Sequence, residues 1–462
     1  MQELNLGYHY PIIYWNTACL IINAGANEEL DDNKSTQYGK IAKAIANFKQ
    51  RSIIVDRPLI NEAKFSFVPD EKNNRIIFSF KGLCGIGDDI ARAIVEHQPY
   101  SSFEDFCKRM VDTKIIGTAK TIILIKAGCF NELDSPDRME TMKKFLSRNV
   151  FTPIDKLTMQ QFNSALEYDI FPKEMETMIR IKNFKAYALH ESFFLKNIID
   201  EGKKVPKKGY HDRYFALDER GTEFLMEHFN TCIVGTKEDG VIISEKLFNK
   251  EWDALIQPLK DYMALPETLQ LYNQKKLDST MESYASGSLE QWDMESLSYY
   301  PDRHELWNLN EPKYGVVDYN SLPEIPEVYE HTTRRVRGEI KHFPKYKIFR
   351  LAGTVLDSDN NKHLVSLLTN HGVVTCKYNK GQYSYYNKRI SEQTPAGKKK
   401  VLEESWFKRG SKIIVCGYRR EDQFVIMKYP DTVYTHTTNR IEEIYNDGTI
   451  LAQTDRKKVG EG

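Results

Sequence analysis

The 462 residues hold 65 lysines and arginines against 65 aspartates and glutamates, with 41% hydrophobic and 12% aromatic residues, enough chain to bury several cores without staples. Seven scattered cysteines with no Cys-x-x-Cys pair argue against a zinc ribbon or a disulfide framework and read as reduced, mostly buried thiols. Neutrality would argue against a polyanion partner too, but between 334 and 430 there are 21 Lys/Arg and 8 Asp/Glu, an excess of 13 positive charges balanced by an equal acidic excess elsewhere.

In chain order, Met1-Gln2-Glu3-Leu4 lacks a basic leader, and no apolar run approaches the ~20 residues of a membrane span, so a cytoplasmic protein without membrane contact is expected. Residues 1–50 predict two helices, one carrying Ile12, Ile13, Trp15, Leu20 and Ile21, the other Ile41, Ala44, Ile45 and Phe48, with a turn at Asp31-Asp32-Asn33. Short strands are expected at 52–55, 65–68 and 76–80 around Asn73-Asn74, and helix again from Asp88 through about 200. The segment 201–330 is mixed, with a strand at 241–244, a helix over 249–262 and linker-like stretches at 278–291 and 318–333. Five strands at 348–356, 363–368, 373–378, 412–418 and 423–428 predict an OB-type barrel.

The chemistry-bearing stretch is Leu83-Cys84-Gly85-Ile86-Gly87-Asp88, an apolar-x-Gly-apolar-Gly turn running into an amphipathic helix. Glycines there let the backbone approach a phosphate, helix-start N–H groups point at it, and Ile86 plugs the turn into the core, which is the hairpin of a helix-hairpin-helix. An ordinary glycine turn is the plainer alternative, and a dinucleotide fingerprint fails because Ile90 stands where its third glycine belongs. A second unit at Lys114-Ile115-Ile116-Gly117-Thr118-Ala119-Lys120 has a poorer glycine pattern and by itself reads as a capped core helix.

In the basic C-terminal segment Arg350, Lys377, Tyr378, Tyr383, Tyr385, Tyr386, Lys388, Arg389 and Lys398 to Lys400 interleave rings with cations, as a single-strand groove requires. Singly, such tyrosines are more often packing, and the lysine run after Pro395-Ala396-Gly397 more often a solvated tip. Lys237-Glu238-Asp239-Gly240 matches the nucleotidyl-lysine motif of ligases without its companions, and Asp357-Ser358-Asp359 has a polymerase-like carboxylate spacing but continues into a turn at Asn360-Asn361. Neither is assigned catalysis, and the residues suggest no metal cluster and no cofactor site.

Several stretches together resemble the C-terminal half of the DNA polymerase III alpha subunit family, the bacterial C-family replicative polymerases. Tyr8 to Ala18 is similar to the family's last fingers helix, and Ile54 to Asn61 with Phe65 to its Pro-Asp-x-Asn-x-Ser stretch, with Leu59 and Ala63 departing. Ile77 to Ile94, Tyr100 to Phe106 and Leu124 to Asn131 resemble its tandem helix-hairpin-helix, with Cys129 and Asn131 as substitutions. Trp292 to Tyr300 with His304 is similar to the signature ahead of its OB-fold, minus the usual glycine and His-Pro.

The resemblance implies an α+β multidomain chain: a mainly helical fingers tail (1–74), a tandem helix-hairpin-helix module (75–135), a divergent helical and mixed insertion (136–290), a linker (291–333), a C-terminal OB-fold β-barrel (334–435) and a tail (436–462). It further implies duplex contacts by Gly85, Ile86, Gly87, Asp88, Gly117 and Lys120, and single-strand contacts by the barrel. The palm carboxylates and their Mg2+ are expected upstream of Met1 on an N-terminal polymerase half, so the chain should not polymerise alone. A sliding clamp is a further family partner, but Gln257 to Tyr262 and Gln270-Leu271-Tyr272 fit its docking peptide poorly. The competing expectation is a non-catalytic DNA-binding accessory protein of repair or recombination.

Overall fold

In the computed structural model, which describes residues 11–26, 35–49, 52–195, 213–237, 240–337, 339–393, 399–427 and 437–457, the chain forms two compact units, Met1–Lys144 with Ala285–Gly462, and Phe145–Tyr284. Residues 8–10, 31–33, 238–239 and 395–398, all invoked by the sequence reading, lie outside the described residues. No described helix is long and apolar enough to cross a membrane.

The first unit opens with α1 (Ile12–Ala24) and α2 (Tyr38–Lys49). The stripe Ile41, Ala42, Ile45 and Phe48 buries one face of α2. A small sheet follows, with β3 (Arg75–Ile77) parallel to β1 (Ile54–Asp56) and antiparallel to β2 (Val68–Asp70). The Asp70 carboxylate caps the turn after β2 by accepting the Asn73 N–H, and Asn74 takes the left-handed conformation at φ 49°. Arg75 then holds Asp56, Glu62 and Asp70 at 2.6–2.8 Å, fixing that turn to the sheet.

Three short helices come next: α3 (Asp88–Glu96), α4 (Phe103–Phe106), which runs on through a wider turn to Val111, and α5 (Thr118–Lys126). Leu83, Ile86, Ile94, Phe106, Met110, Ile116, Leu124 and Phe130 are buried between them. Rings of Phe103 and Phe106 meet Phe130 edge-on at 4.8 and 4.9 Å.

The second unit has its own interior. An antiparallel sheet of order β4 (Tyr214–Ala216), β6 (Gly240–Ser244), β5 (Ile233–Lys237) packs with α6 (Glu176–Ala188), α7 (Glu219–His228) and α8 (Glu245–Leu255) around Phe184, Phe215, Leu225, Phe229, Ile243 and Phe248. A second cluster gathers Phe162, Ile170, Leu259, Met263 and Tyr272. Leu259 and Tyr272 are thus core residues, so the two clamp-peptide candidates are not free peptides but parts of packed helices.

The linker expectations are corrected here. Helix Pro266–Tyr284 runs through the first half of 278–291 and takes in Ser279 and Ser283, while Ser288 accepts the Gln291 N–H and starts α9 (Leu289–Leu297). Trp292, Asp293 and Leu297 of α9 are buried, so the start of 291–333 belongs to the first unit's interior. The end of that stretch opens a two-stranded ribbon, β7 (Val328–Val336) and β8 (Glu339–Tyr346).

The barrel strands are β9 (Phe349–Asp359), β10 (Leu364–Thr369), β11 (Gly372–Lys377), β14 (Lys412–Arg420) and β15 (Gln423–Ile426), with α10 (Lys380–Asn387) and the hairpin β12 (Ile390–Gln393)–β13 (Lys399–Glu403) between β11 and β14. β9 pairs antiparallel with β10 and β14, β10 with β11 and β14 with β15, while β11 and β15 are parallel, which closes five strands into a barrel compatible with an OB-like fold. Residues 437–457, expected as a tail, instead widen the sheet: β16 (Thr438–Ile444) pairs with the start of β14 and β17 (Ile450–Gln453) with β16. α2 packs on the barrel, where Ala42 joins Met294, Tyr300 and Leu356.

Candidate nucleic-acid interface

Gly87 and Gly117 take nearly the same backbone conformation, φ −83° and ψ 166° against φ −85° and ψ 163°, as N-caps of α3 and α5. Neither helix start is capped by a side chain, so both keep first-turn N–H groups for an incoming acceptor. Behind each glycine an isoleucine, Ile86 or Ile116, is buried. In front, a methyl group on either glycine would meet nothing within 4 Å. The second hairpin, weaker in sequence because no glycine precedes Ile116, also turns through a left-handed residue, but one position earlier: Lys114 at φ 61°, three residues before Gly117, against Gly85 at φ 83°, two before Gly87.

The two hairpins touch. Lys120 at the start of α5 donates to the Gly85 carbonyl at 2.5 Å, and Ile123 closes over Gly85, where a Cβ would come within 3.1 Å of its Cδ1. Asp88, a carboxylate where phosphate is expected, is bound by Lys81, which offsets its repulsion. A third cation comes from the barrel and was missed by sequence: Arg409 stacks over Tyr38 at 4.7 Å, and the Tyr38 hydroxyl donates to the Leu83 carbonyl at 3.3 Å. Burial pushes the Cys84 thiol up, with the nearby Arg409 charge opposing it. Only the basic excess of 334–430 hinted at this, since 38, 85 and 409 share no motif.

α9 anchors the hairpins from behind. Asp293 is buried and takes Arg57 through both oxygens at 2.6 and 2.9 Å and Arg138 at 2.5 Å, while the same arginines donate to the carbonyls of Ala127 and Lys126 at the end of α5. Lys126 reaches Glu295 at 2.9 Å, and the Ser296 carbonyl accepts the Cys84 N–H. The stretch Trp292 to Tyr300 therefore acts as a clasp on the hairpin module.

The barrel residues divide. Tyr378 and Tyr383, 1% and 3% exposed, lie in the barrel core with Tyr386, Trp406 and Phe407, so as placed they cannot stack on bases. Arg350, 6% exposed, turns inward and donates to the Tyr314 carbonyl, so it is no phosphate contact. Lys377 is half-buried on the Lys362 carbonyl. Packing of α10 and the turn before it against Trp406 and Phe407 puts Tyr378 and Tyr383 inside, and Arg350 lies on β9, which is buried along most of its length. Tyr385, 52% exposed, Lys388 and Arg389 do share the surface at the end of α10, with Arg389 paired to Glu404 at 3.1 Å. That segment is pinned from below by buried Arg456, which donates to the carbonyls of Tyr385, Tyr386 and Lys388 and pairs with Glu403 at 2.7 Å.

Asp359 caps a turn by accepting the N–H groups of Asn361 and Lys362 at 2.9 Å each, which holds its carboxyl below the usual range. Lys237 and Gly240 face each other as the last pair of a hairpin. Among the described residues no group of three or more His, Cys, Asp or Glu is arranged to hold a metal ion.

The family of helix-hairpin-helix motifs matches residues 52–140. The whole chain is similar to DNA polymerases. It is 40% identical over 467 residues to the Probable DNA polymerase YorL of Bacillus subtilis (strain 168), and 40% identical over 467 residues to the DNA-directed DNA polymerase of Bacillus phage SPbeta. Each alignment covers 99% of this chain and 34% of the relative, so the chain spans about a third of the length of these curated relatives.

Proposed function

We propose that this chain is the DNA-binding part of a replicative polymerase of the DNA polymerase III alpha kind, gripping primer–template DNA during templated synthesis. The observation that carries the reading is the pair of open hairpins, Gly85 to Asp88 and Gly117 to Lys120, alike in conformation at their N-cap glycines and joined by Lys120. Their helix-start N–H groups bind phosphates of duplex DNA, with Lys120 and Arg409 supplying positive charge around the first hairpin and Lys81 neutralising Asp88. The OB-like barrel faces the single-stranded template through Tyr385, Lys388 and Arg389. Similarity along 99% of the chain to proteins named DNA polymerases supports polymerisation, rather than repair alone, as the setting.

In this reading the palm carboxylates and the Mg2+ of the reaction lie outside these 462 residues. Primer extension on a primed single strand tests it. Extension is expected only when the chain is mixed with a palm-containing polypeptide, and extension by the purified chain alone would overturn the division of labour. DNA binding without extension in any mixture would favour an accessory protein of repair or recombination.

A further inference from the structure

Hairpins and barrel surface leave the ribbon β7–β8 without a role. Its residues are exposed along most of both strands, including Tyr329, Phe343 and Ile340, the last 69% exposed. A two-stranded ribbon with neither face packed is marginal in water, so its shape asks for an occupant. Its base is tied to the barrel unit: the Lys347 N–H donates to the Glu327 carbonyl at 2.9 Å, and the Tyr346 ring lies 4.6 Å from Tyr418.

Charge runs along the ribbon with a gradient. At the base the cations are neutralised, Lys345 by Glu330 at 2.6 Å and Lys347 by Glu327 at 3.3 Å. Toward the tip the sequence sets Arg334, Arg335, Arg337 and Lys341 against one acid, Glu339. The register pairs position 334 with Lys341 and Arg335 with Ile340. Exposed Arg335, Arg337 and Lys341, gathered at one end of the ribbon with a single acid in the sequence beside them, favour a polyanion there. A second copy of this chain would have to bury the same cations against each other, whereas a phosphate backbone neutralises them.

We infer that the ribbon Val328–Tyr346 is an arm that lies in a groove of duplex DNA, its tip cations on the flanking phosphates. The eight residues of β8 span roughly 27 Å at ~3.4 Å each, and the major groove admits a two-stranded ribbon. Rings and aliphatic side chains beside the cations supply apolar contact to base edges or sugars. The arm adds a DNA-binding surface separate from the hairpins and rests on the proposal that this chain binds DNA.

The test is binding of the full chain to a labelled duplex across a salt series, for wild type, for Arg335→Ala/Arg337→Ala/Lys341→Ala and for Gly87→Ala/Gly117→Ala. All three tip side chains are exposed, so the triple variant is expected to melt as wild type. Its duplex affinity should fall about tenfold or more, and the slope of log K against log salt should shrink by about 2 to 3, roughly 0.9 for each phosphate that is no longer neutralised. Should the tip variant misbehave, excising 328–346 and joining Glu327 to Lys347, already hydrogen-bonded, through an Asn-Gly turn gives a second route to the same readout. Unchanged affinity and slope in the tip variant, with the glycine variant weakened, would overturn the arm and leave the hairpin reading intact. The reverse pattern would support the arm and remove the hairpin reading, and no duplex binding by wild type would remove both. A wild-type dimer that Ile340→Ser converts to monomer, with DNA binding unaffected by the tip variant, would assign the ribbon to self-association and overturn the arm.

Discussion

Nothing in the backbone angles of Gly87 and Gly117 calls for glycine, since any residue can adopt them. Open space in front of both means that Gly87→Ala or Gly117→Ala leaves the fold within about 1 kcal/mol, while the new methyl group stands where a phosphate oxygen would approach. Each change is expected to weaken duplex binding about tenfold, or ~1.4 kcal/mol, with the melting temperature close to wild type, measured by fluorescence anisotropy beside a thermal scan. Asp293 behaves oppositely. Asp293→Ala takes the shared buried carboxylate from Arg138 and leaves Arg57 with exposed Asp302, and is expected to cost about 3 to 5 kcal/mol in urea unfolding, a loss of stability that precedes any loss of binding. The first glycine pair was readable from sequence because turn and plug follow each other in the chain. Asp293 was seen only as part of a family signature, since its partners lie 236 and 155 positions away.

Elements were easier to read than the directions their side chains take. The five barrel strands and α3 fall close to where periodicity put them, because alternation and glycine turns are local signals. The tyrosines were not separable by such signals: Tyr383, Tyr385 and Tyr386 sit on one short helix, and only its packing against Trp406 and Phe407 decides that Tyr385 alone faces solvent. Residues 437–457 carried no strong pattern, yet β16, β17 and Arg456 complete the barrel floor. Desolvation there pushes the Glu403 carboxyl up, but hydrogen bonds and charge from Arg456, with the Trp406 N–H, outweigh it and hold the carboxyl below its ordinary range. A lowered folded-state value stabilises above the ordinary glutamate range and is lost as pH falls through it. Glu403→Gln should therefore be less stable than wild type at neutral pH and show a shallower loss of melting temperature on acidification. A steeper or unchanged acid limb would contradict this account of the floor.

Across the molecule, zero net charge hides a basic barrel segment, an acidic approach that offsets more than half of its excess, and a mildly acidic remainder. Between 285 and 333 there are 10 Asp/Glu and 2 Lys/Arg, and many of these acids are spent internally: Asp293 and Asp302 on Arg57, Glu295 on Lys126, Glu305 on Lys412, Glu324 on Arg419. The acids thus hold the hairpin module and barrel together, and the cations beyond their reach, at the ribbon tip and near the hairpins, are the ones left for a polyanion. The unit 145–284 has an interior of its own. Among the described residues its two hydrophobic clusters draw only on residues 154–272, and the barrel clusters only on residues outside it. If this unit folds by itself, replacing 150–284 with a flexible linker, which keeps the helix Arg138–Asn149 and its Arg138–Asp293 pair, is expected to leave hairpins, clasp and barrel folded. The shortened chain is expected to unfold in one transition and to bind duplex DNA within about threefold of wild type, ~0.65 kcal/mol. A drop beyond tenfold with the shortened chain still folded would place a DNA-binding surface in 150–284, and the four lysines of 203–208 would be the first residues to neutralise.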